Sequence, residues 1–311
     1  MLKFSSLYFI IQKQPIDPGE AMTNIGIRPL SPALGAEITG IDLREEITDE
    51  QFALIEQAWY DHLVILIRNQ EITIDQQRAF SARFGPLSIR SRKRGATPEA
   101  AEYGGDVMLV TNVRKDGKPI GSLPDGEMMF HSDTPYFERP CKATVLYAIE
   151  VPSHGGNTLF GNSYKAAETL PDEIKRKLDG LKAMQVYEHG TMIKLKDRYD
   201  RENFPHYAHP IFRRHSESGK SSLFVSELMT EEIIGLPSDE SDRILQLLFA
   251  HQRKSELIYE HVWQPGDLII WDNRCTIHAR TDFPSEERRM LRRLTIQDDH
   301  PVLPGEAPPS S

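Results

Sequence analysis

From Val107 to Asp298 the chain breaks into short apolar and β-branched runs, each closed by glycine, proline, asparagine or aspartate. The clearest are "VMLVTN", "KATVLYAIEV", "NTLFGN", "KAMQVYEHG", "SSLFVSEL", "DLIIWDN" and "RRLTIQDD". Runs of this length between turn residues read as strands. Two helical patterns interrupt them. One is "PDEIKRKLDGL", with Pro171 near its start. The other is "SDESDRILQLLFAHQRK", where Ile244, Leu245, Leu247 and Leu248 form an apolar stripe. A chain patterned in this way is expected to be mainly β with buttressing helices, closed as a barrel or a sandwich.

The first hundred residues carry more helix. Thr48 with Gln51, and Thr73 with Gln76, have the spacing of a capping box and open helices through "DEQFALIEQAWYDH" and "DQQRAFSARFG". Gly85 is expected to close the second helix. "IGIRPL", "AEITGIDL" and "LVILIRN" read as strands. No linker divides the chain. Residues 1–21 are expected to be a loose extension, residues 22–300 a single domain, and 301–311 a tail that frays. The polar segments 88–106, with the basic run "RSRKR", and 189–205 are expected to be loops able to act as lids.

Composition narrows the function. A net charge of −9 argues against a nucleic-acid partner. No apolar run approaches a membrane span, and the first residues lack a clear signal-peptide pattern. Two cysteines, Cys141 and Cys275, are too few for a disulfide framework and fit a cytoplasmic protein. A small-molecule substrate is the remaining expectation.

"FHSDTPY" places a histidine and an aspartate one residue apart, His131 and Asp133. On a strand, residues i and i+2 point the same way, so the two would share a target. The best third ligand lies in "PGDLIIWDNRCTIHAR", where a buried strand and a turn at Asp272-Asn273 lead to His278. Two histidines and a carboxylate make the facial triad of non-haem Fe(II) oxygenases, although zinc would also accept them. In "EERRMLRRLTIQDD", alternation puts Arg289 and Arg293 on one face, where arginine could grip a carboxylate. "HYAHP" offers His206 and His209 with no carboxylate beside them, and both read as structural. Cys275 reads as an ordinary buried thiol.

At these residues the sequence resembles the taurine dioxygenase and chlorophenoxyacetate dioxygenase family of Fe(II)/2-oxoglutarate enzymes. The resemblance runs from about Ile25 to Asp299. It rests on "GAEITGIDL", "RAFSARFGPL", "FHSDTPY", "ATVLYAIEVPSHGGNTLFGN", "HPIFRRHSESGKSSLFVSE", "PGDLIIWDNRCTIH" and "RRMLRRLTI". It implies a double-stranded β-helix, the jelly roll of cupin-like oxygenases. It implies that His131, Asp133 and His278 hold Fe(II), that Arg289 and Thr158 hold the far carboxylate of 2-oxoglutarate, and that Arg293 meets the substrate. O2 is the third reactant; succinate and CO2 are products. A dimer or tetramer is also implied. Asp133 favours hydroxylation over halogenation, since related halogenases lack that carboxylate.

The family's taurine enzyme has a histidine after "RFG". Here "RFGPLSIRSRKR" offers Ser88 and Arg90 instead, so another anion is expected: a sulfonate, a sulfate ester or an aryloxy acid. The competing reading is a cupin-like Zn or Mn hydrolase or isomerase using the same three ligands. It has no need for a carboxylate grip at Arg289 and Thr158.

Overall fold

The structure is a computed structural model and describes residues 25–89, 105–123, 126–192 and 200–309. The expected extension 1–21, the basic run and Arg90, most of the expected lid 88–106 and the middle of the expected lid 189–205 lie outside the described residues.

Two sheets face each other. The larger has seven strands in the spatial order Gly26–Pro29, Ala36–Thr39, Val64–Ile67, Leu268–Asp272, Ala143–Glu150, Met290–Ile296, Met108–Thr111. The smaller has four: Ile258–His261, Thr158–Asn162, Thr276–Arg280 and Met128–His131. Neighbouring strands run antiparallel, apart from the parallel pair Ala36–Thr39 and Val64–Ile67. The fold is a jelly roll.

Strand alternation sorts the side chains. Ile65, Ile67, Val145, Tyr147, Leu268, Ile270, Leu294 and Ile296 pack outward under Phe52, Ile55, Trp59 and Phe80 of the two N-terminal helices. Val64, Leu66, Leu146, Ala148, Ile269, Trp271 and Leu291 face inward and meet Phe160 and Cys275 of the smaller sheet. His278 of the smaller sheet packs against Trp271 and Phe160 of this layer.

The helices begin where the sequence places them. Both capping boxes form, and the helices run Asp49–His62 and Ile74–Ala82. An N-cap of this kind contributes about 1 kcal/mol. The second helix ends three residues before Gly85. The later helices are Asp172–Leu178, with Pro171 at its N-cap, and Ser238–Gln252. On the latter, Ile244, Leu245 and Leu248 are buried, whereas Leu247 is exposed. At about 100° per residue, Ile244, Leu248 and Leu245 share an arc of about 100°, and Leu247 falls outside it.

Two expectations of local structure fail. "KAMQVYEHG" is a strand only over Lys182–Val186, and His189–Met192 is a helical turn. The tail does not fray within the described residues. Leu303–Pro304 pairs with Phe212–Arg214, and Ala307 N–H donates to Asp179 Oδ1 at 2.9 Å. Ala307 also packs on the core behind the Ser238–Gln252 helix. Anchored backbone and an apolar contact outweigh a tail-like composition.

Candidate metal and cosubstrate site

His278 lies directly across from His131 on one neighbouring strand and from Phe160 on the other. The two imidazole rings are 4.1 Å apart, centre to centre. His131 Nδ1 contacts the Met129 carbonyl at 2.9 Å, which turns Nε2 inward. Asp133 completes the group, but not by alternation. The strand ends at His131. Asp133 sits in the following turn, where Thr134 has a φ of 55°. Its backbone N–H donates to Asn273 Oδ1 at 3.3 Å, tying it to the corner between the Leu268–Asp272 and Thr276–Arg280 strands.

Asp133 Oδ1 lies 3.9 Å from Nε2 of each histidine. Ligand bonds of about 2 Å from each atom span such a gap. All three residues are buried, and their donor atoms lie within 4.8 Å of one another. Burial pushes both imidazoles below their ordinary pKa, His278 the further because His131 lies beside it. Both are thus neutral at pH 7 and able to bind a metal. Burial opposes the charge on Asp133, yet the Arg293 guanidinium holds the carboxyl well below the usual range. Two neutral imidazoles and one carboxylate are a donor set that fits Fe(II).

Arg289 stands just before the Met290–Ile296 strand, and the register shifts between Met290 and Leu291. Alternation therefore covers Leu291 and Arg293 but does not reach Arg289. Arg289 is 2% exposed, and neither Nε nor Nη1 has a hydrogen-bond partner. Burial, and then the charge of Arg280, push its pKa down to about 9. Gly156, at φ +63°, passes so close that a Cβ would come within 3.3 Å of Arg289 Nε. Thr158 is directly across from Arg280. Its Oγ1 accepts from Trp263 Nε1 at 3.0 Å, which leaves its own O–H to donate. A buried cation and a spare hydroxyl donor fit a carboxylate.

Arg293 points inward and donates Nη2–H to Asp133 Oδ2 at 2.7 Å. The other arginines of that segment face elsewhere. Arg288 pairs with Glu150 at the surface, and Arg292 donates to the Ile72 carbonyl. His209 Nε2 contacts the Phe137 carbonyl at 2.9 Å. Burial pushes the Cys275 thiol well above its ordinary pKa.

Thr144 and Asn273 are site neighbours that the sequence does not announce. Thr144 is one hydroxyl inside the apolar run "ATVLYAIE", and Asn273 looks like an ordinary turn residue. The available signal is that Thr144, Leu146 and Ala148 share the inward face.

Residues 26–295 match the family model "Taurine catabolism dioxygenase TauD, TfdA family". The chain belongs to this family. It is a 2-oxoglutarate-dependent dioxygenase that works with Fe(II) and O2. Its relatives include the alpha-ketoglutarate-dependent 2,4-dichlorophenoxyacetate dioxygenase of Cupriavidus pinatubonensis, 32% identical over 87% of this chain and 97% of that one. They also include the pentalenolactone F synthase of Streptomyces arenae, 32% identical over 88% of this chain and 95% of that one. Among solved structures, a taurine dioxygenase from Burkholderia xenovorans is 29% identical with a TM-score of 0.73, covering 90% of this chain and 93% of that one. AAD-2 in complex with Mn(II) and N-oxalylglycine is 26% identical with a TM-score of 0.75, covering 90% and 99%. The hydrolase or isomerase alternative finds no support among these relatives. Among the described residues, no helix is long and apolar enough to cross a membrane.

Proposed function

We propose that the dioxygenase hydroxylates a small organic anion, with an aryloxy carboxylate the first candidate and a sulfonate or sulfate ester next. His131, Asp133 and His278 hold Fe(II). Arg289 and Thr158 hold the far carboxylate of 2-oxoglutarate, and Arg293 meets the anionic group of the substrate. The observation that carries the reading is Arg289, a buried cation with two unmatched donor atoms, four residues before the Arg293 that binds Asp133. Buried charges are ordinarily paired, so an unmatched one marks where a ligand's charge belongs. The name of the Cupriavidus relative supports an aryloxy acid.

Bound Fe(II) with 2-oxoglutarate supplies the power to activate O2 and oxidise a C–H bond, leaving succinate and CO2. This chain's residues orient and shield. Thr158 donates its hydroxyl hydrogen while Trp263 fixes its oxygen. Trp271 packs 4.7 Å from the His278 ring and Phe160 at 6.4 Å, walling the histidine off from water. Arg293 Nε has no hydrogen-bond partner, so it is available to a substrate anion while Nη2 holds Asp133. If the hydroxylated carbon bears an ether oxygen or a sulfur group, the product collapses to a carbonyl compound and a leaving group.

The test is substrate-stimulated succinate release, screened across phenoxy acids, sulfonates, alkyl sulfates and their neutral esters or alcohols. Stimulation by neutral compounds alone would overturn the anionic class. The net charge of −9 and the two buried free cysteines support a cytoplasmic setting, and we place the chain there as a homo-oligomer.

A further inference from the structure

The two oxygens of Asp133 live in different surroundings. Oδ1 faces both histidines at 3.9 Å. Oδ2 faces away and accepts two hydrogen bonds, from Thr144 Oγ1 at 2.6 Å and from Arg293 Nη2 at 2.7 Å.

The Thr144 hydroxyl has no freedom to turn. Its oxygen accepts from Asn273 Nδ2 at 3.0 Å, so its single hydrogen goes to Asp133. Asn273 is fixed in its turn. Its Oδ1 accepts from Trp271 Nε1 at 2.9 Å and from the Asp133 backbone N–H at 3.3 Å. Two donors on the oxygen settle which end of the amide faces Thr144. A directional chain therefore runs Trp271 to Asn273 to Thr144 to Asp133 Oδ2. Every member is buried.

We propose that Thr144 is a positioning residue for the metal. Together with Arg293 it occupies Oδ2 and reserves Oδ1 for Fe(II), so that Asp133 binds through one oxygen only. The coordination count shows why this matters. When Fe(II) is bound, His131, His278 and one oxygen of Asp133 would hold it and leave room for a chelating keto acid and O2. A carboxylate turned to bind through both oxygens would take up part of that room. Removing the hydroxyl loosens the carboxylate about its Cβ–Cγ bond while every metal ligand stays present.

The proposal rests on the iron and 2-oxoglutarate reading of the site, and the experiment separates the two. Wild type, Thr144→Val and Thr144→Ser are compared without substrate. Co(II) affinity is measured by chelator competition, and the visible charge-transfer band is recorded with Fe(II) and 2-oxoglutarate under anaerobic conditions. Valine keeps the shape and loses the donor. It is expected to weaken Co(II) binding about 10- to 100-fold and to shift or abolish the band. Serine restores both. The melting temperature of the metal-free proteins checks folding, and Thr144→Ala replaces valine should valine not fold. Wild-type Co(II) affinity and an unmoved band in a folded variant without the hydroxyl would overturn the role of Thr144. A wild-type protein that shows neither Co(II) binding nor the band overturns the reading of the site itself.

Discussion

Among the described residues, two buried clusters bring three metal-ligating side chains within 4.8 Å of one another. One is His131, Asp133 and His278; the other is His215, Asp272 and Cys275. In the second cluster, Asp272 Oδ2 accepts from His215 Nε2 at 2.9 Å and from Arg274 Nη2 at 2.7 Å, and Oδ1 accepts from Arg274 Nε at 2.9 Å. Arg274 is balanced further by Glu217 at 2.7 Å. His215 Nδ1 accepts from the Ser218 backbone N–H at 3.2 Å. The cluster is closed by protein groups, an ionic lock. In the first, Oδ1 of Asp133 and two imidazole nitrogens confront one another across 3.9 Å with no protein cation between them. Burial and spacing do not tell a lock from a metal site; an account of lone pairs does.

The sharpest break is Asp133→Ala. Succinate formation should fall to background, and added Co(II) should no longer raise the melting temperature. An undiminished Co(II) shift that disappears only when Asp272 is also replaced would mean that the second cluster binds metal after all. Asp272→Ala should act on stability instead. It strands Arg274 beside Glu217 and leaves His215 without its acceptor. Breaking such a pair costs about 3–5 kcal/mol, readable in urea unfolding. Arg289→Met should separate function from stability most clearly. Affinity for 2-oxoglutarate, read from titration of the charge-transfer band, should fall on the order of 100-fold, the loss of charged hydrogen bonds. The melting temperature of the metal-free protein should rise, because an unpaired buried charge has gone.

Acid should weaken the fold through its neutral histidines. Burial pushes His209 down to about 4 and lowers His131, His261 and His278. Between pH 6.5 and 4 the unfolded chain takes up protons that the folded chain refuses, so stability falls as pH drops through that window. His209 alone contributes on the order of 3 kcal/mol to the loss. A melting temperature flat from pH 6.5 to 4 would contradict this. The smallest effect is stabilisation by metal. Co(II) at a hundred times its Kd should add about 2.7 kcal/mol to the wild type.

Much of the inner layer could be read from residues alone. His131 and His278 are visible because polar rings end or interrupt strong strand patterns. Asp133 is visible too, but for a reason the structure replaces: a left-handed turn and a bond to Asn273 aim it, not strand alternation. Arg289 likewise precedes its strand. Alternation succeeds within a strand, as at Leu291 and Arg293, and fails one residue past its end, where tertiary hydrogen bonds take over. Thr144 and Asn273 stayed hidden for a related reason. Their importance comes from meeting each other and Asp133 across 129 and 140 positions of chain, and no local pattern encodes such a meeting. The pinned tail was missed in the same way.

Asp272 and Asn273 are adjacent residues, yet one belongs to the ionic lock and the other to the chain of donors behind the metal. A single sharp corner thus serves as common footing for both. Anyone recutting the pocket to admit a different molecule could vary the walls around Arg293 with some freedom. Touching this corner to gain space would tilt the floor under the iron.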